Sequence, residues 1–276
     1  MSFELPETPN LTLRREGFVL HLTFNRPKAR NAMSLAMVDE IIAVFDALSE
    51  TTEIRVVVLR GAGGHFCAGG DIKDMASARM SQPETPGGPD DPLVIVNRKF
   101  GTMISVIETA PQAVIAVLEG AVMGGGFGLA CVADVGLCHV DAKFRLPETS
   151  LGIPPAQIAA FIVRRIGLTQ GRRFAVTGGR FDGRRAQSIG LVHELFEDQE
   201  GLDALLAQTL AEIRKCAPGA VAVTKDLMLS ALSENIEVLL DRAARDFAMA
   251  IRSGEGQEGT MAFIEMRPAA WAREDA

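Results

Sequence analysis

Two glycine-rich stretches contain the backbone groups in this sequence that are best suited to chemistry. Residues 68–71 (AGGD) follow an apolar run at 54–59, and residues 123–126 (MGGG) follow another at 113–118. Each run predicts a strand, and each glycine stretch leads into a segment with helical spacing. A strand that turns through glycines into a helix leaves unpaired N–H groups at the positive end of the helix dipole. Two such turns could direct two N–H donors at one developing oxyanion.

Chemistry at an oxyanion also needs a group that moves a proton, and Glu148 is the leading candidate. The four histidines show no metal-ligand spacing, and none pairs with Ser or Cys in a nucleophile motif; they are His21, His65, His139 and His193. We therefore predict no metal site. We expect His65 to be a structural histidine whose ring is bonded to the backbone.

The composition favours a cytoplasmic protein that handles a small molecule. A chain of 276 residues that is 47% hydrophobic can bury a full core. The net charge of −7 disfavours nucleic acid as a partner, although a local basic patch could bind a phosphorylated ligand. The four cysteines form no CxxC pair, which is typical of free thiols in a reducing cytosol. The first ten residues lack a signal peptide pattern, and charges interrupt the most apolar region, so we expect no membrane span.

Strand and helix patterns predict an α/β core followed by a helical region. Residues 11–15 and 18–25 alternate apolar and polar side chains and predict a hairpin. Strand, glycine turn and helix recur at 113–133, which suggests a repeated ββα unit. Amphipathic helices then replace the strands, the last of them at 260–266, as expected for a layer that covers a neighbour or forms an interface. We predict a ββα core at 1–199 and a helical oligomerisation region at 200–276.

Four segments resemble motifs of the crotonase (enoyl-CoA hydratase/isomerase) superfamily. Residues 65–75 (HFCAGGDIKDM) resemble its first oxyanion-hole motif, and residues 120–130 (GAVMGGGFGLA) resemble its second. Residues 24–33 (FNRPKARNAM) look like its first CoA-contacting loop. Residues 144–154, which contain FRLPE and LGIP, look like its catalytic-glutamate segment. The four motifs occur in the family's order over nearly the whole chain, so the resemblance is specific.

The resemblance implies a crotonase-type α/β spiral that forms a homotrimer, often paired as a hexamer. It implies that the N–H groups of Gly70 and Gly125 hold a thioester oxygen and that Glu148 carries the proton. It implies contacts with the CoA portion of the substrate from Lys28, Arg30, Ala68, Asp71 and Ile72. Asp71 is also well placed to cap the following helix, and we give it no catalytic role. CoA belongs to the acyl-CoA substrate, so no separate cofactor is expected.

Gly128 departs from the pattern of the two-glutamate hydratases. A second Glu occupies the matching position in those enzymes, and the two carboxylates grip the attacking water. A single carboxylate at Glu148 can still take a proton from water and return one to Cα. The departure leaves three interpretations: a one-acid hydratase, a Δ3,Δ2-enoyl-CoA isomerase, and a non-catalytic acyl-CoA binder. We favour the hydratase, a lyase that adds water to a 2,3-enoyl thioester.

A finer resemblance concerns the substrate. Segments 124–129, 153–158 and 164–167 look like the bacterial hydratases of branched glutaconyl-CoA thioesters. Those act on methylglutaconyl-CoA in leucine breakdown and on isohexenylglutaconyl-CoA in acyclic terpene breakdown, and the sequence favours the latter. Such substrates carry a distal carboxylate that needs a cationic or N–H partner, for which Arg98 and Arg145 are candidates.

The segment 81–92 lies between the two glycine-rich stretches. It contains four prolines and two glycines, which exclude regular structure. The segment is either a lid that shapes the acyl pocket or an insertion with no role. The sequence leaves that choice open.

Overall fold

The computed structural model describes residues 4–49, 51–71, 73–74, 76, 80 and 83–273. The strands in these ranges are β1 Leu11–Glu16, β2 Val19–Phe24, β3 Val56–Gly61, β4 Ala113–Leu118, β5 Ala121–Met123, β6 Val135–His139, β7 Lys143–Arg145, β8 Arg180–Phe181 and β9 Glu194–Phe196. The α-helices are α1 Leu35–Ser49, α2 Pro92–Glu108, α3 Gly125–Val132, α4 Ala159–Thr177, α5 Gly183–Ser188, α6 Gln199–Arg214, α7 Pro218–Ser230, α8 Ile236–Arg252 and α9 Gly254–Ile264.

A six-stranded sheet forms the centre of the molecule, in the order β1-β2-β3-β4-β6-β9. The β1–β2 hairpin is antiparallel, as the alternation of the sequence predicts, and every other pairing in this sheet is parallel. All six residues of β4 are buried, which is typical of a parallel strand covered on both faces. The carboxyl ends of β3 and β4 lead into the two glycine-rich stretches, so both stretches emerge at one edge of the sheet.

A second sheet holds the loops at that edge. It contains three short strands in the order β5-β7-β8, with β5 and β7 parallel. Two isolated bridges extend the pairing into the first glycine-rich stretch: Cys67 pairs with Val122 of β5, and Gly70 pairs with Met33. The two stretches are therefore joined through main-chain hydrogen bonds although they lie far apart in the chain.

Helices cover both faces of the central sheet. Val57 and Leu59 of β3 face a core that includes α1, α2 and α3. Val56 and Val58 face the opposite side, where α6 contributes Leu202. This alternation follows from the two-residue period of a strand. Burying each such aliphatic side chain contributes about 1.5–3 kcal/mol to folding relative to its exposure to water.

Arg55 ties the C-terminal helices to the sheet. Its guanidinium donates to the carbonyl oxygens of Ile213, Arg214 and Cys216 at the end of α6, and to that of Trp271. A cation is favourable at this position because a helix C-terminus carries the negative end of its dipole. The division at residue 199 remains a prediction, and α6 packs as part of the main body of the protein.

Helices α8 and α9 expose large apolar side chains. Leu239 is the buried residue of α8, whereas Phe247 is 70% exposed, and Phe263 of α9 is 86% exposed. Large apolar side chains with this exposure are typical of contact surfaces where they adjoin one another. Within the described residues, no helix has the length and apolar character needed to cross a bilayer.

Two sequence-based boundaries have clear outcomes. A glycine between two helical patterns, one ending at residue 166 and one from about residue 169, predicts a break at Gly167. The structure confirms it, since α4 contains that residue at φ 73° and ψ 161° and its two segments meet there. The bounds predicted for the final helix, 260–266, were wrong, because α9 begins at Gly254 behind the Ser253 cap. Residues 83–91 form turns and bends, as the prolines predict, while residues 81–82 lie outside the described ranges.

Candidate active site

The first oxyanion donor lies on residues 67–71, which we call the oxyanion loop. Met33 N–H donates to the carbonyl oxygen of Gly69 at 2.8 Å, and Asp71 N–H donates to the carbonyl oxygen of Met33 at 2.8 Å. Gly69 adopts φ +104°, a region that L side chains rarely adopt. The Gly70 N–H belongs to the same trans peptide as the Gly69 carbonyl and points the opposite way. It has no hydrogen-bond acceptor among the described residues.

The second donor lies at the N-terminus of α3. Gly124 adopts φ 52° and ψ −120°, and its N–H donates to the carbonyl oxygen of Arg145 at 3.1 Å. Gly125 is the first residue of the helix, so its N–H has no partner within the helix. No other described residue accepts it. The positive end of the α3 dipole adds to the attraction for a negative oxygen.

The two donors lie on backbones that approach each other closely. A Cβ built on Gly125 would lie 4.0 Å from the nitrogen of Gly70, and a Cβ built on Gly69 would lie 3.8 Å from the nitrogen of Gly125. The absence of side chains at these positions allows this close approach, and Cε of Met33 lies 2.6 Å from the point where a Cβ on Gly125 would stand. Two unpaired N–H donors on adjoining loops are what an oxyanion hole requires, and the assignment of Gly70 and Gly125 to one remains a prediction.

Glu148 stands next to these donors. It begins a 3-10 turn, Glu148–Leu151, directly after β7 and Pro147. Its Oε1 lies 2.9 Å from the point where a Cβ on Gly124 would stand. Its Oε2 is buried and has no hydrogen-bond partner in the described structure. Burial raises the pKa of the Glu148 carboxyl above its ordinary value of 4.5, because the charged form loses contact with water.

Helix α2 supplies the apolar wall of the site. The ring of Phe100 lies 3.6 Å from the point where a Cβ on Gly70 would stand. Ile104, one turn further along, lies close to Gly128 of α3. Neither this helix nor the two side chains is among the features predicted from the sequence. Asp91 accepts from Leu93 N–H as an N-cap and Pro92 follows it, so the signal of a helix start was present.

Most of the chain matches one known protein family. Residues 14–274 match the sequence profile described as enoyl-CoA hydratase/isomerase. The chain belongs to the enoyl-CoA hydratase/isomerase family. The structure has the mixed α/β crotonase fold of that family, and it superposes on Pseudomonas aeruginosa AtuE with a TM-score of 0.91. That pair is 53% identical, and the match covers 96% of this chain and 100% of AtuE.

Named relatives in the family perform two kinds of reaction. The chain is 34% identical over 238 residues to the human mitochondrial Δ(3,5)-Δ(2,4)-dienoyl-CoA isomerase, covering 82% of this chain and 70% of the relative. It is 27% identical over 258 residues to the 2,3-dehydroadipyl-CoA hydratase of Escherichia coli, covering 93% of this chain and 96% of the relative. Membership of the enoyl-CoA hydratase/isomerase family therefore indicates that the protein acts on acyl-CoA substrates. Membership does not decide between hydration and isomerisation.

Gly128 has no space for a second acid. A Cβ at this position would lie 2.5 Å from Cγ2 of Ile158 and 3.1 Å from Cδ1 of Ile104. An ionised carboxylate among these side chains would be costly, because it would be desolvated without a partner. The packing around Gly128 therefore disfavours an acidic side chain at this position.

The residues implied in CoA contact lie on two adjoining loops. We call residues 26–33 the CoA loop; it carries Lys28 and Arg30, whose side chains are exposed and have no hydrogen-bond or ion-pair partner in the described structure. Ala68 N–H donates to the carbonyl oxygen of Arg30 at 3.0 Å. The Asp71 carboxylate accepts from Lys73 N–H, as expected of a cap, and pairs with Arg26. Ile72 lies outside the described residues. All five assignments to CoA contact remain predictions.

His65 has the structural role expected from its position. Its Nδ1 accepts the N–H of Ala121 at 3.1 Å, so the ring bonds the backbone beside β5. The ring therefore helps to hold the loop ahead of the second glycine-rich stretch.

Proposed function

We propose that this protein is an enoyl-CoA hydratase that uses one catalytic carboxyl group. The observation that carries the proposal is the proximity of two unpaired N–H donors to each other and to Glu148, whose Oε2 is buried and without a partner in the described structure. A thioester oxygen held by Gly70 and Gly125 would place the acyl chain against Phe100. One such donor contributes about 2.7–4 kcal/mol to transition-state stabilisation.

One carboxyl group suffices for both proton transfers of the reaction. The Glu148 carboxylate takes a proton from water as the water oxygen forms a bond with C3 of the enoyl thioester. The C2=C3 electron pair moves toward the thioester, and the two N–H groups stabilise the resulting enolate oxygen. The Glu148 carboxyl then returns its proton to C2, on the same face, and recovers its charge. A raised pKa suits this role because the group must both take and return a proton.

A Δ3,Δ2-enoyl-CoA isomerase is the second candidate. The apolar packing at Gly128 favours it, because no second carboxylate holds a water there. In that reaction Glu148 would move a proton between carbons of the acyl chain with no change of mass. Incubation with crotonyl-CoA and a 3-enoyl-CoA in ¹⁸O-labelled water separates the two reactions. A product heavier by one labelled water supports hydration, whereas a shifted double bond at constant mass contradicts it.

We also propose that the substrate is a branched glutaconyl-CoA thioester, with isohexenylglutaconyl-CoA favoured over 3-methylglutaconyl-CoA. Such an acyl chain ends in a carboxylate, as does that named for the E. coli relative. We propose Arg98 of α2 as its partner. Its Nη1 and the Oε1 of Gln157 converge on the space above Gly101, one residue from Phe100. Arg98 bonds Thr102 Oγ1 at 3.3 Å and pairs with no carboxylate among the described residues.

Arg145, the other candidate for the distal carboxylate, is already engaged. Its Nε donates to the carbonyl oxygen of Gly178 at 3.0 Å, and its Nη2 donates to Ser150 Oγ at 3.1 Å. These contacts hold the turn after Glu148 against the end of α4. We therefore assign Arg145 a structural role and Arg98 the binding role.

Arg98→Met is expected to change substrate preference. We expect kcat/KM for 3-methylglutaconyl-CoA to fall by roughly 10- to 100-fold, the value of a charge-assisted hydrogen bond of about 1.5–3 kcal/mol. Turnover of crotonyl-CoA, which has no distal carboxylate, should change less than about twofold. Lys99→Met is the matched control, because Lys99 is the next cation on α2 and pairs instead with Asp39. Equal losses on both substrates would contradict this role for Arg98.

The exposed apolar faces of α8 and α9 support a homotrimer or a hexamer of two trimers. Phe247, Met249 and Phe263 would be covered in such an assembly. Light scattering on the purified protein should give three or six times the mass of the chain, and Phe247→Lys with Phe263→Lys should lower it. A monomer of the unmodified protein at micromolar concentration would contradict the assembly.

For the cellular location we propose the cytoplasm, because the four cysteines of the sequence form no CxxC pair and are expected to be free thiols.

A further inference from the structure

The orientation of the first oxyanion donor is set by the CoA loop. The Gly69 carbonyl and the Gly70 N–H share one peptide plane and point in opposite directions. Met33 N–H holds that carbonyl at 2.8 Å, and Asp71 N–H holds the carbonyl of Met33 at 2.8 Å. A shift of Met33 would therefore rotate the peptide that presents the Gly70 N–H.

An ion pair closes the connection between the two loops. Arg26 Nη2 lies 2.8 Å from Asp71 Oδ2, and Nη1 of the same guanidinium donates to the carbonyl oxygen of Ala32. The side chains are 25% and 15% exposed, so solvent screens this pair less than a surface pair. The hydrogen bond from Arg26 lowers the pKa of the Asp71 carboxyl, because it favours the ionised form. Arg26 thus bonds to Ala32, which precedes Met33, and to Asp71, which follows Gly70.

The CoA loop holds an unfavourable backbone conformation. Arg30 and Asn31 are consecutive non-glycine residues with φ 49° and φ 56°. Asn31 is fully buried, and its Nδ2 donates to the carbonyl oxygens of Ala62 and His65 at 2.9 and 2.6 Å. Its Oδ1 accepts the N–H of Arg26 at 2.9 Å. Such a conformation persists only where surrounding contacts over-determine it, and the three hydrogen bonds of Asn31 do so here.

We propose that Arg26 is a positioning residue that couples the nucleotide end of CoA to the oxyanion hole. Phosphates bound by Lys28 and Arg30 would favour the left-handed turn at Arg30 and Asn31. Through their hydrogen bonds, Arg26 and Met33 would then hold the Gly69–Gly70 peptide in the orientation that presents the Gly70 N–H. Binding energy from the non-reacting end of the substrate would then raise kcat in addition to lowering KM. The proposal rests on the proposed function for the identity of the ligand.

Kinetics with a whole and a truncated thioester test this coupling. The probes are crotonyl-CoA and crotonyl-N-acetylcysteamine, which share the acyl group and differ in the nucleotide. We expect Arg26→Met to lower kcat for crotonyl-CoA by about tenfold with KM changed less than about threefold, and to leave the truncated substrate within about twofold. Asp71→Asn should behave likewise, and the double variant should lose no more than either single one because the pair acts as a unit.

The control and the contrary outcomes are specific. Arg15→Met removes an exposed arginine that pairs with Glu53 at the far end of the sheet, and it should change neither substrate. Arg26→Lys keeps the charge without the fork and should recover part of kcat. Equal losses on both thioesters would reduce Arg26 to a structural residue. A rise in KM alone would make it a CoA contact.

Hydrogen exchange gives a readout that needs no turnover. Free CoA should slow exchange of the Met33 and Asp71 amides in the unmodified protein. In Arg26→Met, CoA should still bind by calorimetry and should no longer slow the Asp71 amide. Retained protection in the variant would overturn the coupling. If the unmodified protein hydrates no thioester, the proposed function fails, while this exchange experiment still decides the coupling.

Discussion

Glu148→Gln is expected to lower kcat by about 10²–10⁴-fold, the range that general acid–base catalysis supplies. The amide introduced by this substitution would keep the shape and the capacity to accept a hydrogen bond, but it could neither take a proton from water nor return one to C2. KM should change less than about threefold, because the oxyanion donors and the CoA contacts are untouched. Single-turnover rates on the preferred thioester, with product mass recorded, measure the effect.

The melting temperature of Glu148→Gln shows whether the loss of activity comes from a loss of folding. The pKa of the Glu148 carboxyl is raised in the folded protein, so the folded state disfavours its ionised form. The group therefore costs stability as pH rises above 4.5 toward the raised pKa, and the full cost is present above it. Glu148→Gln removes that cost and should melt at or above the unmodified protein at pH 7. A fully active Glu148→Gln variant would exclude Glu148 as the proton carrier.

The same raised pKa predicts the pH dependence of the rate. The free enzyme must hold Glu148 ionised to take a proton from water. We therefore expect kcat/KM to fall as pH decreases through a value above 4.5, the ordinary pKa of a glutamate. The acidic limb should be absent from the residual activity of Glu148→Gln. An unchanged limb in the variant would assign the titration to another group.

Gly125→Ala is expected to abolish most activity by filling the oxyanion hole. The added Cβ would stand 4.0 Å from the nitrogen of Gly70 and 2.6 Å from Cε of Met33. The Met33 methyl is the far end of a flexible side chain and can move. The thioester oxygen would lose close contact with at least one donor. We expect kcat/KM to fall by about 10²–10³-fold, as for removal of one oxyanion donor.

A matched glycine outside the site is the control for Gly125→Ala. Gly254 also begins a helix, has no positive φ, and would present its added Cβ to open space. Gly254→Ala should leave turnover unchanged. Binding of free CoA, which has no thioester oxygen, should be within about threefold of normal in Gly125→Ala. Normal turnover by Gly125→Ala would remove Gly125 from the oxyanion hole.

The single-acid site depends on its surroundings as much as on Glu148. The space occupied by a second glutamate in the two-glutamate hydratases is closed here by Ile104 and Ile158. A water held by Glu148 would therefore lie against hydrocarbon on that side. The low dielectric of such a wall strengthens the attraction between the forming oxyanion and the two N–H donors. The packing at Gly128 thus agrees with catalysis by one carboxyl group, both in the proposed hydratase and in the alternative isomerase.

The sequence by itself determined the α/β class, the order of the elements around the site and the family resemblance. Apolar runs such as 54–59 and 113–118 can be recognised locally, because a buried parallel strand needs apolar side chains on both faces. Glycine stretches and Gly167 can also be recognised locally, since a positive φ or a close approach of backbone favours glycine. Those signals lie within a few residues of the structure that they predict.

Only the tertiary structure decided how these parts meet. Phe100 and Ile104 became site residues because α2 packs across the two glycine-rich stretches, a contact made between segments far apart in the chain. Arg26 and Asp71 belong to two separate sequence motifs, and only the fold places Nη2 of Arg26 2.8 Å from Oδ2 of Asp71. Contacts of this kind depend on the packing of many side chains at once, and no local pattern records them. The sequence therefore supplied the groups for the chemistry, and the fold supplied their mutual orientation.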